Sequence, residues 1–396
     1  MNFIFISPNF PKTYWNFCDR LKKNGVNVLG IGDAPYDELE PALRASLTEY
    51  YKVSTLEDYD QVYRAAAFFA FKYGRIDWIE SMNEYWLLQD ARLRTDFNIT
   101  TGIRNDQIDY IKEKSMMKIR YHEAGVPTAR QSKVTDLASA EDFIRETGYP
   151  VIVKPDIGVG ALNTWKLSTD EELRAFYADL PDAPYVMEEF IDGDLYSYDA
   201  ILDSNCDPLF ENMTAWPLPV MDVVVHELDL NYYTCRDMDP KLRAEGRKTV
   251  KAFGVRNRFV HLEFFRLRKA RKGLGKKGDF VGLEVNMRPA GGYTPDMMNF
   301  AHSTDVYQIY ADMVTTDRRL LPEAEVQGFC AYAGRRDGRR YLHSHQEIME
   351  KYGSCMKMQE EMPELSWPQM GRYMYTAWLP TEEETLAFIR FVQDKA

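Results

Sequence analysis

The chain is poor in cysteine and has no long apolar run. Five of its 396 residues are cysteine, at 18, 206, 235, 330 and 355, and none falls in a C-x-x-C pair. The odd count and wide scatter argue against a disulfide framework or a thiolate zinc site. They fit small core thiols in a reducing compartment, by default the cytoplasm. No stretch reaches the roughly 18 apolar residues needed to cross a bilayer. The opening MNFIFISPNFPK has no basic flank and is broken by Pro8 and Pro11, so it reads as a first buried strand and not as a signal peptide. Positive charge is short as well: 49 Lys and Arg against 61 Asp and Glu give −12, a poor balance for a nucleic-acid or anionic-membrane partner. The basic run at 266–277 holds seven Lys or Arg and no acid, but it has no aromatic residue either, and reads as a solvated hairpin loop or a lid over an anionic substrate. Two phosphate-binding signatures are missing: there is no G-x-x-x-x-G-K-[ST], and DIGVGA at 156–161 fails G-x-G-x-x-G.

With 45% hydrophobic residues the chain can bury a sizeable core, split over two to four domains. The first hundred residues alternate strand and helix patterns: FIFIS (3–7), a helix carrying Trp15, Cys18 and Leu21, VNVLGIG (26–32), helical stretches near 37–47 and 58–73, then RIDWIES (75–81). That order predicts a parallel sheet with helical crossovers. Ser81 and Glu84 fit a capping box ahead of a helix to about Phe97, a reading that leaves a ligand role for Ser81, Asn83 and Glu84 open. Farther on, a helix at 111–125 stops before Pro127. A helix near 139–147, the strand YPVIVKP (149–155), a glycine-bearing turn, TWKLS, a helix at 170–179 and YVMEEFIDG (185–193) follow. They predict a small α+β unit, and a larger antiparallel portion comes after it.

Two runs carry the chemistry. In GLEVNMRP (282–289), Glu284, Asn286 and Arg288 recur at every second place and so share one face of an extended chain, with Leu283, Val285 and Met287 on the other. In RFVHLEFF (258–265), His261, Glu263 and Phe265 share a face. Pairing the two strands would bring Glu263 near Glu284 and Asn286, a hard oxygen set suited to Mg²⁺; ion pairs with Arg266 or Arg288 are the plain alternative. Lys154 closes an apolar strand before a glycine-bearing turn, an arrangement suited to phosphate oxygens, and Lys114 and Lys118 are further cations one helical turn apart. YVMEEFIDG could offer backbone groups to a flat base, with Val186 and Phe190 beside it, or be a plain core strand.

The order of these motifs (lysine helix, V-I-V-K-P with its turn, E-E-F-I-x-G, H-L-E-F, L-E-V-N-x-R-P) resembles the ATP-grasp superfamily over about residues 1–315. The resemblance implies a mixed α/β and α+β multidomain fold: a Rossmann-like domain at 1–110, a mobile lid at 111–190, and an antiparallel portion with the metal site at 191–320. A small α+β extension at 321–396 would complete the chain. It implies that Lys114 and Lys154 contact ATP phosphates, that the turn with Gly158, Gly160 and Ala161 closes over them, and that Glu188, Glu189, Phe190 and Ile191 bind adenine. Glu263, Glu284 and Asn286 would hold Mg²⁺ or Mn²⁺, and Arg288 would face the phosphoryl acceptor. The ribose-binding acid of many members falls on Leu195, with Asp194 beside it. SMNEYWLLQDARLRTDFN (81–98) and MRPAGGYTPDM (287–297) are similar to the L-amino acid ligases. The expected activity is joining a small carboxylic or amino acid to an amine (or thiol) through an acyl phosphate, with His261 as a base or a structural residue. Small molecules are the expected partners, and a homodimer is left open. The alternatives are biotin carboxylase-like or carbamoyl-phosphate chemistry, for which no biotin-carrier motif is evident at Met117-Lys118 or Met356-Lys357, and a non-catalytic ATP-binding regulator.

Overall fold

A computed structural model describes residues 1–158, 163–218, 223 and 226–396, except for the side chain of Leu365. Four short strands of the amino-terminal region form a parallel sheet: β1 (Asn2–Ile6), β2 (Asn27–Gly32), β3 (Glu49–Lys52) and β4 (Trp78–Glu80), in the order β3-β2-β1-β4. Every residue of β1 is buried, as expected of a central strand covered on both faces. The helix Trp15–Lys23 turns Phe17, Cys18 and Leu21 onto this sheet at helical spacing. The half-buried edge strand β3, EYYK, has no counterpart in the sequence reading, because four residues are too few to show an alternation. The expected Ser81–Glu84 capping box is not formed. Ser81 Oγ instead donates to Asp90 at 2.7 Å, and the helix begins at Leu87.

A second sheet is antiparallel and small. It contains β5 (Gln131–Lys133), β6 (Val151–Pro155), β7 (Trp165–Leu167) and β8 (Tyr185–Glu189), ordered β5-β8-β6-β7. Val151 and Val153 of β6 point into a core of its own, closed by Leu173 and Phe176 of the helix Asp170–Ala178. Lys154 and Ile152 alternate onto the opposite face.

The third sheet has eight strands, in the order β13-β12-β9-β10-β11-β14-β16-β15. They are β9 (Gly193–Leu202), β10 (Pro208–Trp216), β11 (Asn231–Thr234), β12 (Arg258–Leu267), β13 (Phe280–Asn286), β14 (Phe329–Arg335), β15 (Met356–Glu361) and β16 (Tyr373–Leu379). The expected boundary at residue 320 therefore falls within a continuous sheet. Strand β14 pairs with β11 over four residues, and β16 and β15 extend the same surface.

Two joints bind the first sheet to the third. Phe17 packs edge-on against Tyr307 of the helix Val306–Thr316, with ring centroids 4.7 Å apart. Beneath this, Glu80 at the end of β4 takes Arg94 at 2.9 Å and Arg258 of β12 at 2.5 Å, all three side chains being buried. Arg94 also donates to the Ile79 and Ile103 carbonyls, and Arg258 to the Met287 carbonyl. Buried charge persists only when paired in this way.

Candidate active site

The two predicted strands lie side by side and antiparallel. Glu263 of β12 stands directly opposite Glu284 of β13, and His261 opposite Asn286. A β-bulge follows: Phe264 is opposite Gly282, which leaves Leu283 as the extra residue. Such a bulge re-aims neighbouring side chains, and here it lies next to the two carboxylates. Strand β13 ends at Asn286, so Arg288 sits just beyond it and not within it as the alternation implied. Its guanidinium nevertheless turns back, donating to Asn286 Oδ1 at 3.2 Å.

Opposed carboxylates repel, and the site shows the consequence. Burial pushes the Glu284 carboxyl up, and Glu263 pushes it the same way against the pull of Lys114 and Lys154. Glu263 is the partner held down: burial raises it, but His261 outweighs this, with help from Arg288 and Lys154. The pair thus calls for positive charge. Lys114 Nζ comes within 3.3 Å of Glu284, and His261 Nε2 within 3.3 Å of Glu263.

The facing wall comes from the small sheet and the helix Lys114–Glu123. Asp156, just after β6, accepts from the Ser115 N–H and hydroxyl, both at 2.7 Å, and its carbonyl accepts from the Lys114 N–H at 2.9 Å. This clasp holds the start of the lysine helix beside the end of β6. Lys114 Nζ then also reaches the Gly158 carbonyl at 3.2 Å. Gly160 and Ala161 lie outside the described residues. Glu188 of β8 takes Lys154 at 2.7 Å and Lys118 at 3.0 Å. Burial would raise its carboxyl, but the two ammonium groups outweigh that and hold it at about 2. Burial disfavours the charge on Lys154, yet Glu188, Glu284 and Glu263 together raise its pKa.

The side chains of the segment expected to bind adenine make other contacts. The Glu188 carboxylate belongs to the lysine cluster. Glu189, on the other face of β8, is held by Arg130 at 2.9 Å and Arg271 at 2.7 Å. Arg271 comes from the basic loop, which is thus not wholly solvated. Phe190 gives its carbonyl to Arg271 and its N–H to the Pro150 carbonyl, and its ring lies 4.4 Å beneath Lys166 Nζ. The Ile191 N–H donates to no partner among the described residues. Ile191 packs with Leu267 and Val281, and Phe265 borders the same cluster. Asp194, beside the place expected for a ribose-binding acid, has partners of its own. It lies opposite Arg266, on the face of β9 away from Ser197 and Asp199, and is paired with Arg268 at 2.8 Å.

Of the two roles expected for His261, base or structural residue, the contacts favour the structural one. Nδ1 lies 2.6 Å from Asp199 Oδ1, and Nε2 faces Glu263. Burial by itself lowers the imidazole pKa, but the two carboxylates outweigh it and lift it to about 9. A doubly bonded, charged ring has no lone pair for a proton. Asp199 is itself locked by Ser197, Asn212 and Thr214, at 3.0–3.1 Å.

Two further residues border the site, Glu84, whose ligand role the sequence left open, and Tyr121, which carries no motif. Glu84 bonds Lys112 at 2.7 Å and lies 3.4 Å from Arg288. Tyr121 is buried near Glu284, Glu263 and Glu188, which add to burial in pushing its phenol well up. Its spacing from Lys114 and Lys118 is the one signal that could have found it.

Among the described residues no cluster of three His, Cys, Asp or Glu side chains could hold a metal. A cation here would draw on Glu263, Glu284, the Asn286 amide and oxygens of a ligand. That donor set fits Mg²⁺, which keeps few protein ligands.

No family model matches the chain. An L-arginine-specific L-amino acid ligase from Bacillus subtilis is 26% identical over 239 residues, 56% of this chain and 53% of that protein. A chloroplastic phosphoribosylamine–glycine ligase from Arabidopsis thaliana is 30% identical over 105 residues, 24% of this chain and 20% of that protein. The chain thus spans about half or less of the length of these relatives. An L-amino acid ligase structure from Bacillus licheniformis superposes with a TM-score of 0.70 at 15% identity, covering 100% of this chain and 97% of that one. Three sheets so arranged, with paired acids on one wall and lysines on the other, give this chain the ATP-grasp fold.

Proposed function

We propose that this chain is an ATP-dependent carboxylate–amine ligase. The observation that carries the reading is the direct opposition of Glu263 and Glu284 across from Lys114 and Lys154. Lys114 and Lys154 position the triphosphate, and the Ile191 N–H, which has no partner among the described residues, receives the adenine with the Ile191 and Phe265 side chains beside it. Glu263, Glu284 and Asn286 would hold Mg²⁺, which supplies charge neutralisation on the phosphate oxygens. Glu188 keeps Lys154 buried and in place, while Glu284 and the Gly158 carbonyl hold Lys114. Arg288, half-buried at the end of β13, orients the acceptor carboxylate, whose oxygen attacks the γ-phosphorus as ADP departs. The unprotonated amine then attacks the acyl carbon, Arg288 stabilises the oxyanion, and phosphate leaves with the former carboxylate oxygen and takes up the proton that the nitrogen loses. His261 acts by position: anchored on Asp199, it steadies Glu263.

Purified protein with ATP, Mg²⁺ and a panel of acids and amines tests this. Release of ADP and phosphate should need an acid, and condensation should need the amine. Glu284→Gln should raise the Mg²⁺ concentration for half-maximal rate by at least about tenfold. Turnover with unchanged Mg²⁺ dependence would show that the acids serve only the ion pairs.

A further inference from the structure

Beside Arg288 and His261 lies a cavity of about 330 Å³, reached from the turn at Gly291 and Gly292. This is near the lower end of small-molecule sites, roughly 300–1,000 Å³, and suits one small metabolite, not a polymer. One wall is aromatic. Trp216 and Tyr232 stack with centroids 4.4 Å apart and 20° between planes, and Tyr332 continues the stack behind Tyr232 at 4.9 Å. Their polar tips are engaged: Trp216 Nε1 donates to Ser197 Oγ at 3.3 Å, and Tyr332 OH to the Met370 carbonyl at 2.9 Å. Another wall comes from far along the chain, where Met362 and Met370 enter the cavity lining. Met370 is packed onto the turn. A Cβ built at Gly292, whose φ is +64°, would stand 2.9 Å from the Met370 methyl carbon.

The charges around the cavity are spoken for. Lys12 is bonded to Glu360 at 3.0 Å, Glu360 also takes the Tyr293 hydroxyl, and Glu84 is held by Lys112. His261 is held between Asp199 and Glu263, so among the described residues a charged side chain entering here would meet only charges that already have partners, and would lose its hydration. Arg288 lies 3.4 Å from Glu84, whose shorter bond is to Lys112, and is the cation left to take the carboxylate common to every candidate acid.

Resting on the ligase reading above, we infer that the acceptor is a small amino or carboxylic acid with an apolar side chain. Met370, supported by Met362, sets the size limit of its pocket. The segment beyond residue 320 is then the specificity element of the site. Thioether side chains suit this task, because they adapt to an apolar ligand without polar cost.

The test is calorimetric binding of phenylalanine, leucine, alanine, aspartate and lysine to the full chain with Mg²⁺ and a non-hydrolysable ATP analogue. Phosphate release from the same panel with ATP is measured in parallel. Phenylalanine and leucine should bind at least tenfold more tightly than aspartate and lysine. Met370→Trp should weaken phenylalanine at least tenfold and alanine by less than threefold, and Met370→Ala should spare phenylalanine; unchanged thermal unfolding would show both variants folded. Equal binding of charged and apolar acids, no binding of any, or indifference of phenylalanine to Met370→Trp would each overturn the inference. Apolar-selective binding without phosphate release would keep the pocket assignment and sink the ligase reading. Phosphate release driven by aspartate or lysine would keep the ligase reading and sink the pocket assignment.

Discussion

Glu188 shows how a single side chain can mislead when read within its own strand. YVMEEFIDG presents two adjacent acids, and alternation sends them to opposite faces: Glu188 to Lys154 and Lys118, Glu189 to Arg130 and Arg271. Both arrangements are long-range, and neither partner set can be read from local spacing. The Glu188 carboxyl is held at about 2, below its ordinary 4.5, so the stabilisation it brings is complete above that ordinary value and is lost as pH falls towards about 2. Urea midpoints measured across this interval should fall more steeply for the wild type than for Glu188→Gln. The variant should be the less stable protein at neutral pH, where it leaves two buried ammonium groups without their acid. Parallel pH profiles would contradict the pairing.

Among elements, the legible ones were those with a period. The β12 and β13 strands, the lysine helix and the strand ending on Lys154 all followed from alternation or helical spacing, and so did Glu263, Glu284 and Asn286 as neighbours. The bulge at Leu283 left no trace in the residue pattern, because it depends on register against a partner strand. The short β3 was missed, and the Ser81 capping box lost to a buried Asp90 that competes for the same hydroxyl. Tertiary pairing won each time over local preference. Gly282 is the clearest case of sequence meaning visible only in three dimensions. A Cβ there would lie 2.6 Å from the Tyr121 ring, so the missing side chain lets the lysine helix rest on β13. Gly282→Ala should therefore cost about 1–3 kcal/mol of unfolding free energy. It should also weaken ATP binding as Lys114 is displaced, and calorimetry finding wild-type ATP affinity would refute that coupling.

At the scale of the whole molecule, the cleft is assembled from all three sheets, and its geometry depends on how they are joined. The Glu80 joint ties β4 to β12, the strand that carries Glu263. Removing one member of a buried, hydrogen-bonded ion group costs about 3–5 kcal/mol. Glu80→Ala should lose that much stability in urea unfolding, whereas a loss under about 1 kcal/mol would show the joint to be dispensable. The carboxyl-terminal strands looked like an appendage in the sequence, since they carry no motif; in the fold they extend the large sheet, and residues between two of them line the cavity beside Arg288. In the proposed reaction this cleft activates a carboxylate by phosphorylating it. The most direct measurement uses the best acid substrate labelled with heavy oxygen in its carboxylate, together with ATP, Mg²⁺ and an amine, followed by mass spectrometry of the released phosphate. One heavy oxygen per phosphate is predicted. Phosphate free of label, formed alongside the condensed product, would contradict the account.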